Sequence, residues 1–341
     1  GNKCYVDTFD RNFNFDVEHI SLAKKADVFL VAPATANVIA KIANGIADDM
    51  LTTTFLASKC KKIISPAMNT AMFENQITQN NIAKLKEYGI DVIEPQSGLL
   101  ACGDTGTGKM PEPGYLFDVI EREIAREKDM LGKKVLVTAG ATMEALDPVR
   151  FLTNHSSGKM GFAIAKEAML RGAEVTVVKA NTTAEIPNFV NVVEVSSAGD
   201  MFNAVKAVSN QQDIIVKAAA VADYTPESYV DSKIKKKDGD LSIALKRTKD
   251  ILKYLGENKK EGQFLCGFSM ETDNMLKNSK AKLSKKNADM IVANNLKDAG
   301  SGFKTDTNAV TLITKNGHKL LELKSKADVA KEIFDEILSL I

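Results

Sequence analysis

Short apolar runs alternate with amphipathic segments in the first third of the chain. Residues 27–32, 62–65 and 90–93 have the continuous apolar pattern of buried strands. Residues 38–46 and 79–88 instead carry apolar side chains at helical spacing. Strands that alternate with helices in this way predict a parallel α/β domain.

The same alternation begins again after a charged helical stretch at 120–130. We therefore place a boundary there and predict domains at 1–128 and 131–341. Strands of the second domain are predicted at 135–138, 174–178, 191–195, 213–218, 263–268 and 289–293. The Asn316-Gly317 turn predicts a final β-hairpin over 309–314 and 319–323. Both domains are predicted to be doubly wound, with ligands bound at the carboxyl ends of the strands.

Composition narrows the class of protein. The 45 Lys and Arg residues almost balance the 44 Asp and Glu residues, which gives no overall field for binding nucleic acid or an anionic membrane. No apolar run reaches the roughly 18 residues of a membrane span, and the N-terminus lacks a signal-peptide pattern, so we expect a cytoplasmic protein. The four cysteines are far apart, which argues against a zinc site or a disulfide framework.

Residues 147–161, D-P-V-R-F-L-T-N-H-S-S-G-K-M-G, are the most informative segment. They lie between a predicted strand and an amphipathic run at 162–170, so a polar loop is expected to open a helix. A helix N-terminus presents unpaired N–H groups and partial positive charge, which suits a phosphate. An ordinary loop with a serine cap is the alternative. The candidate binding residues are Arg150, Asn154, Ser156, Ser157, Gly158 and Lys159.

Four features concentrate polar chemistry in the first domain. A-P-A-T-A-N at 32–37 and P-A-M-N-T-A-M at 66–72 each follow a predicted strand. Thr35, Asn37 and Asn69 could therefore hold polar groups of a ligand, although capped helices and core methionines explain such loops equally well. The glycine-rich segment 101–110 suggests a flap that carries Cys102. His19 is the fourth, just before the first predicted helix.

Together these four features resemble the flavin-dependent cysteine decarboxylases. The resemblance covers about residues 15–115 and is closest to the decarboxylase half of the bifunctional coenzyme A biosynthesis proteins. It implies a flavodoxin-like domain of the HFCD type with FMN, to which Thr35 and Asn37 would contribute. By the same resemblance His19 would assist oxidative decarboxylation, Asn69 would bind the departing carboxylate, and Cys102 would donate a proton in the final reduction.

One departure from that pattern stands at the N-terminus. The opening strand and glycine-rich loop of the family, which form much of its FMN phosphate site, do not precede the first predicted strand here. We expect the flavin half to be truncated and its FMN site to be incomplete in this chain.

Further polar segments lie in the second domain. K-A-A-A-V-A-D-Y at 217–224 is a strand that ends in small residues, where a nucleotide could approach the backbone. The lysine-rich segments 231–238 and 278–287 could neutralise a triphosphate, although solvated charged surfaces are the ordinary explanation.

The second domain resembles the phosphopantothenate–cysteine ligase half of the same family over about residues 131–338. The motifs that carry this resemblance lie at 137–150, 154–161, 219–224, 233–236 and 267–272. The resemblance implies a Rossmann-like ligase in which CTP activates 4′-phosphopantothenate as an acyl-cytidylate and L-cysteine then displaces CMP. Lys233 would assist the activation and Asn154 would hold the intermediate. Mg²⁺ would accompany CTP, its ligands unassigned, and a homo-oligomer is implied. The implied CTP contacts are Lys217, Ala218, Ala219, Asp223, Phe268, Lys282 and Lys286.

Two other functions are alternatives to this one. A nicotinamide dehydrogenase would fit the strand–loop–helix pattern, but no G-x-G-x-x-G follows residues 135–138. In the other alternative the chain is a ligase only, and the first domain serves as an oligomerisation module.

Overall fold

The computed structural model describes residues 3–6, 17–101, 103–235, 241–271, 274–295 and 305–341. The chain divides into two units, Gly1–Arg126 and Glu127–Ile341.

The first unit contains a parallel three-stranded sheet, in the order β1-β2-β3, and an antiparallel pair, β4-β5. Its described elements, in chain order, are α1 (Glu18–Lys25), β1 (Val28–Ala34), α2 (Ala36–Ala43), α3 (Met50–Ala57), β2 (Lys61–Pro66), α4 (Thr70–Glu74), α5 (Gln76–Glu87), β3 (Asp91–Val92), β4 (Gln96–Leu99), β5 (Thr105–Lys109) and α6 (Pro113–Ile124).

The core of this unit follows from its hydrophobic pattern. Strand β2 contributes Ile63 and Ile64, and helix α2 buries Ile39 against the sheet. Asp49 is the N-cap of helix α3, and its carboxylate accepts a hydrogen bond from the Thr52 amide at 2.8 Å. Such a cap satisfies an amide that the helix itself leaves unpaired.

Three local predictions for the first unit differ from the structure. Helix α6 occupies Pro113–Ile124 rather than 120–130, because Pro113 suits a first helical turn and the chain turns after Ile124. His19 lies within α1, not before the first helix. The glycine-rich segment 101–110 includes strand β5, which pairs with β4.

The second unit contains a mostly parallel eight-stranded sheet in the order β10-β9-β6-β11-β14-β15-β16-β17, in which β16 and β17 run antiparallel to their neighbours. Its elements are β6 (Lys134–Ala139), β7 (Met143–Ala145), β8 (Phe151–Thr153), α7 (Lys159–Leu170), β9 (Glu174–Lys179), β10 (Asn191–Glu194), α8 (Ala198–Val208), β11 (Ile214–Lys217), β12 (Tyr224–Pro226), β13 (Leu245–Arg247), α9 (Ile251–Glu257), β14 (Phe264–Glu271), α10 (Met275–Lys285), β15 (Met290–Asn295), β16 (Thr307–Thr314), β17 (Gly317–Ser325) and α11 (Lys326–Leu340).

Helices cover both faces of this sheet, which explains why the middle of each central strand is apolar. Leu136, Ile215 and Leu265 lie on neighbouring strands and are at most 1% exposed. Ile333 and Phe334 of α11 are fully buried as well. All six predicted parallel strands and the hairpin at Asn316-Gly317 are present.

The antiparallel hairpin β7–β8 interrupts the predicted step from β6 directly into α7. Each of its strands has three residues, too few to show a period of two in the sequence. Asp147 and Arg150 therefore lie in the turn of this hairpin, while Asn154 to Gly158 form the loop into α7.

Candidate functional site

Helix α7 begins at Gly158, which adopts a left-handed conformation with φ 82°. A Cβ at this position would come within 2.4 Å of the Thr182 hydroxyl oxygen. Thr182 itself donates a hydrogen bond to the Ser157 carbonyl at 2.7 Å. Glycine is therefore required for the loop to turn tightly into the helix.

Gly161, one turn further on, brings this helix close to the sheet. A Cβ on Gly161 would lie 2.7 Å from the Cβ of Ala139, in strand β6. The close approach places the N-terminus of α7 at the carboxyl end of the central strands, where doubly wound folds bind ligands.

Asn154 is fixed to the neighbouring strand end. Its carboxamide nitrogen donates to the Ala220 carbonyl oxygen at 3.2 Å, and the Ala220 amide donates to the Gly140 carbonyl at 2.9 Å. The Ala219 amide donates to the Thr138 hydroxyl at 3.0 Å. These bonds join the ends of β6 and β11 to the loop that precedes α7.

A cavity of about 300 Å³ lies between these elements. It brings together the serine and lysine residues of the α7 loop, the end of β11, and side chains from β14 and α10. The predicted site residues that line it are Asn154, Ser156, Ser157, Gly158, Lys159, Lys217, Ala218, Ala219, Asp223, Phe268 and Lys282.

A second cavity, of about 650 Å³, adjoins the first. Its lining includes Lys286 together with Tyr224, Lys249 and Asp250. Five residues line both cavities: Lys217, Val221, Asp223, Phe268 and Lys282. The two spaces therefore share a wall that carries two lysines and one aspartate.

Lys217 ends the central strand β11 on that wall. Its ammonium group donates to the Ala219 carbonyl at 2.9 Å. Burial and the nearby Lys282 charge lower the pKa of Lys217 to about 8, although Asp223 and Asp250 act in the opposite direction. An anion in the cavities would offset the cost of holding this half-buried cation.

The lysines of α10 are held by neighbouring groups. Lys282 donates to the Phe268 carbonyl at 2.9 Å, and Lys286, which follows the last residue of the helix, pairs with the Asp250 carboxylate. Burial raises the pKa of Asp250, but its bonds to Lys286 and to the Lys253 amide outweigh this effect and lower it. Lys159 pairs with Asp306 at 2.6 Å.

Three polar residues that line the smaller cavity, Asn294, Asn308 and Lys326, were not predicted from the sequence. Asn294 and Asn308 are 6% and 4% exposed, and the side-chain oxygen of each has no hydrogen-bond partner within the described part of the chain. Lys326, from the start of α11, also lines this cavity, and burial lowers its pKa. Neither asparagine belongs to a recognisable sequence motif. Their buried side-chain oxygens, unpaired within the described residues, are what identify them as candidate ligand contacts.

Arg150 and Lys233 are not among the residues that line either cavity. Arg150 forms an ion pair with the buried Asp147 carboxylate at 2.7 Å. Lys233 lies next to Ile234, which contacts the same pair.

In the first unit, the two predicted loops follow paired strands. Ala34 of β1 aligns with Pro66 of β2, so Thr35 and the loop ending at Asn69 leave the same edge of the sheet. The Thr35 hydroxyl accepts from the Val38 amide at 3.3 Å and caps α2. Asn37 is exposed in the first turn of that helix.

Asn69 connects the second loop to the β4–β5 hairpin. Its carboxamide nitrogen donates to the Asp104 carboxylate at 3.3 Å, and its oxygen accepts from the Ala71 amide at 2.9 Å. The structure thus joins the P-A-M-N and A-C-G-D segments. Cys102 lies outside the described residues, and His19 lies in α1, half-buried.

Across the described parts of the chain, no group of three or more His, Cys, Asp or Glu residues is arranged to hold a metal ion. None of the helices there is long and apolar enough to span a membrane.

The fold is that of an α/β protein in two units, and the second unit contains two adjoining cavities lined by the ends of its central strands and the start of α7. Residues 130–340 match the family described as DNA/pantothenate metabolism flavoprotein C-terminal domain, and residues 1–125 match the family described as Flavoprotein. The predicted fold class, flavodoxin-like and Rossmann-like α/β domains, is confirmed.

Curated relatives match nearly the whole chain. The coenzyme A biosynthesis bifunctional protein CoaBC of Bacillus subtilis is 47% identical and covers 99% of this chain, which spans 84% of that protein. The CoaBC protein of Haemophilus influenzae is 41% identical and covers 99% of this chain, which spans 84% of that protein. A cysteine/cysteine sulfinic acid decarboxylase from an unknown prokaryotic organism is 43% identical and covers 100% of this chain, which spans 96% of that protein.

A solved structure agrees with the second unit. The crystal structure of the C-terminal domain of a CoaBC protein is 44% identical, has a TM-score of 0.53, and covers 62% of this chain and 96% of its own. The chain belongs to the family of bifunctional coenzyme A biosynthesis proteins, as its motifs predict.

Proposed function

We propose that this chain carries out two steps of coenzyme A biosynthesis. The second unit ligates cysteine to 4′-phosphopantothenate with CTP, and the first decarboxylates the product, 4′-phospho-N-pantothenoylcysteine, to 4′-phosphopantetheine. The observation that carries the ligase assignment is the shared wall at Lys217, Asp223 and Lys282, which connects a nucleotide-sized cavity to the loop containing Asn154.

The adjoining cavities suit a two-step acyl transfer. With CTP in the larger cavity, its α-phosphorus would lie near the shared wall. A carboxylate oxygen of phosphopantothenate attacks that phosphorus, and the bond to pyrophosphate breaks. The amine of cysteine then attacks the acyl carbon, loses a proton and displaces CMP. A carboxylate needs this activation because its own oxide is a poor leaving group.

Each cationic or polar group has a task in this scheme. Lys217 and Lys282 stabilise negative charge on the nucleotide, and Lys233 assists formation of the acyl-cytidylate. Asn154, already held by Ala220, orients that intermediate. Ser156, Ser157 and Lys159, with the first amides of α7, bind an anionic group of the substrates.

Polar groups at the carboxyl edge of β1 and β2 fit a flavin-bearing first unit. The Thr70 hydroxyl oxygen is buried without a described hydrogen-bond partner beside Asn69, and Thr35 and Asn37 lie at the start of helix α2, which follows β1. FMN, when bound there, would supply the two-electron oxidation of the cysteinyl thiol that allows the neighbouring carboxylate to leave as carbon dioxide. Asn69 binds that carboxylate, His19 assists its loss, and Cys102 returns a proton.

Cofactors and assembly complete the proposal. Mg²⁺ accompanies the triphosphate, FMN serves the first unit, and the chain works as a cytoplasmic homo-oligomer. Adding EDTA is expected to stop CTP consumption and excess Mg²⁺ to restore it; CTP turnover indifferent to chelation would contradict the metal requirement.

Product analysis tests the main proposal. The chain is incubated with phosphopantothenate, cysteine and either CTP or ATP, and products are identified by mass spectrometry. We expect phosphopantothenoylcysteine and CMP in the CTP reaction. Absence of the amide product with both nucleotides would overturn the ligase assignment.

The decarboxylase assignment needs its own assay. The chain, supplied with FMN, is incubated with phosphopantothenoylcysteine or with free cysteine. Release of carbon dioxide from the former supports the proposal, whereas release only from free cysteine would assign the first unit to a different decarboxylase. If the chain has ligase activity but releases carbon dioxide from neither compound, the result would support the alternative in which the first unit serves only as an oligomerisation module.

A further inference from the structure

The turn of the β7–β8 hairpin encloses a carboxylate whose described hydrogen-bond partners all lie outside the two cavity linings. The side chain of Asp147 is 0% exposed. One oxygen accepts from the amides of Val149 and Arg150, both at 2.8 Å. The other accepts from the Arg150 guanidinium at 2.7 and 3.0 Å and from the Ile234 amide at 3.1 Å.

Ile234 is held through both of its backbone polar groups. Its amide donates to Asp147, and its carbonyl accepts from the Arg150 guanidinium at 2.6 Å. Four residues earlier, the Val230 amide donates to the Leu146 carbonyl at 3.1 Å. The hairpin turn therefore fixes the backbone on one side of Lys233 directly and on the other side a few residues away.

The Asp147 carboxylate is ionised at neutral pH, so it keeps these hydrogen bonds and its ion pair with Arg150. Burial alone would raise the pKa of Asp147, but hydrogen bonds from the amides of Ile234 and Val149 and from Arg150 lower it well below its ordinary value. A buried carboxylate needs these partners, so loss of one of them is costly.

We propose that Asp147, together with Arg150, is a positioning residue for Lys233 in the activation step. This inference rests on the proposed ligase function. A lysine side chain is long and flexible, so fixing its backbone restricts where the ammonium group can act. Arg150 thereby acts through the backbone of Ile234, rather than as the substrate ligand predicted from the sequence.

The test separates the two half-reactions of the intact chain. Pyrophosphate release from CTP and phosphopantothenate is measured for wild type, Asp147→Ala and the control Glu261→Ala, which removes an exposed carboxylate that lines neither of the two cavities. We expect Asp147→Ala to slow release by about ten- to a hundredfold, with the KM for CTP changed less than about twofold. Glu261→Ala is expected to match wild type.

Hydrogen exchange followed by mass spectrometry reports on the contact itself. The peptide containing Ile234 should exchange faster in Asp147→Ala than in Glu261→Ala. Exchange and pyrophosphate release that both remain at wild-type values would overturn the inference, as would faster exchange with unchanged pyrophosphate release. Circular dichroism checks folding, and Asp147→Asn, which keeps an acceptor for the amides, replaces Asp147→Ala if that variant is unfolded.

A double-mutant cycle shows whether Asp147 acts through Lys233. Lys233→Met is expected to slow pyrophosphate release, and adding Asp147→Ala should cause little further loss. Multiplied losses, or an unaffected Lys233→Met variant, would contradict the inference. If wild type itself releases no pyrophosphate, the proposed ligase function fails instead.

Discussion

The carboxamide nitrogen of Asn154 lies 3.2 Å from the carbonyl oxygen of Ala220, and this contact ties the loop before α7 to the segment that follows β11. Asn154 therefore faces the smaller cavity in a fixed orientation. A side chain held in this way can orient a reaction intermediate without first losing conformational freedom.

Replacement of Asn154 is expected to separate the two half-reactions. In Asn154→Ala, pyrophosphate release from CTP should continue, whereas formation of the amide should fall by about a hundredfold, because the acyl-cytidylate is no longer oriented for attack by cysteine. Quenched reactions analysed by mass spectrometry measure both products. The control is Asn210→Ala, an exposed amide in the turn after α8. Amide formation at the wild-type rate would refute the role of Asn154.

Lys217 predicts how nucleotide affinity depends on pH. Its pKa is about 8 without ligand, and a bound phosphate favours the ammonium form, so binding takes up a proton once the amine has lost it. The affinity for CTP should therefore be constant below pH 8 and fall above it, by up to about tenfold per pH unit. Calorimetry at several pH values measures this. Lys217→Met should bind more weakly and lose the dependence; a variant that retains it would assign the effect to another group.

The sequence predicts the parallel strands of both units because continuous apolar runs such as 213–218 are required where helices cover both faces of a sheet. It also predicts most of the cavity lining, since strand ends and a helix start converge in this fold. Short antiparallel elements escape prediction. The three-residue strands of β7–β8 have no readable period, and β5 is hidden by its glycines.

Contacts between residues far apart in the sequence account for the remaining differences between the predicted site and the site in the structure. Arg150 belongs to the segment that the sequence predicts to bind phosphate, yet it forms an ion pair with Asp147, and its guanidinium also donates to the carbonyl of the distant Ile234. Asn294 and Asn308 join the cavity only because β15 and β16 pair side by side. Neither relationship is encoded in local spacing.

Asp49 makes the stability of helix α3 depend on pH. Hydrogen bonds from the Thr52 amide and hydroxyl, helped by Lys41, lower the pKa of Asp49 to about 2. Because the folded pKa is depressed, the contribution is complete above the ordinary pKa near 4 and is lost as the pH falls towards 2. At neutral pH, Asp49→Ala should cost about 0.5–2 kcal/mol. Amide exchange in α3 measures this cost.

The neighbouring Asp48 provides the control for that variant. Its side chain is 59% exposed and pairs with Lys41 only at the surface, so Asp48→Ala should cost about 0–1 kcal/mol. Equal losses for the two variants would show that the surface charge matters and the helix cap does not.

Gly158 combines a requirement of the fold with a requirement of the site. Alanine at φ 82° is strained, and its Cβ would displace Thr182, which holds the Ser157 carbonyl. Gly158→Ala should reduce the free energy of unfolding by about 1–3 kcal/mol, measured by urea denaturation, and raise the KM for phosphopantothenate. The control, Gly199→Ala in α8, meets its nearest atom at an ordinary 3.6 Å and should be neutral or stabilising by up to about 1 kcal/mol. If Gly158→Ala were as stable as Gly199→Ala, the positive φ of residue 158 could not be what requires glycine at the start of α7.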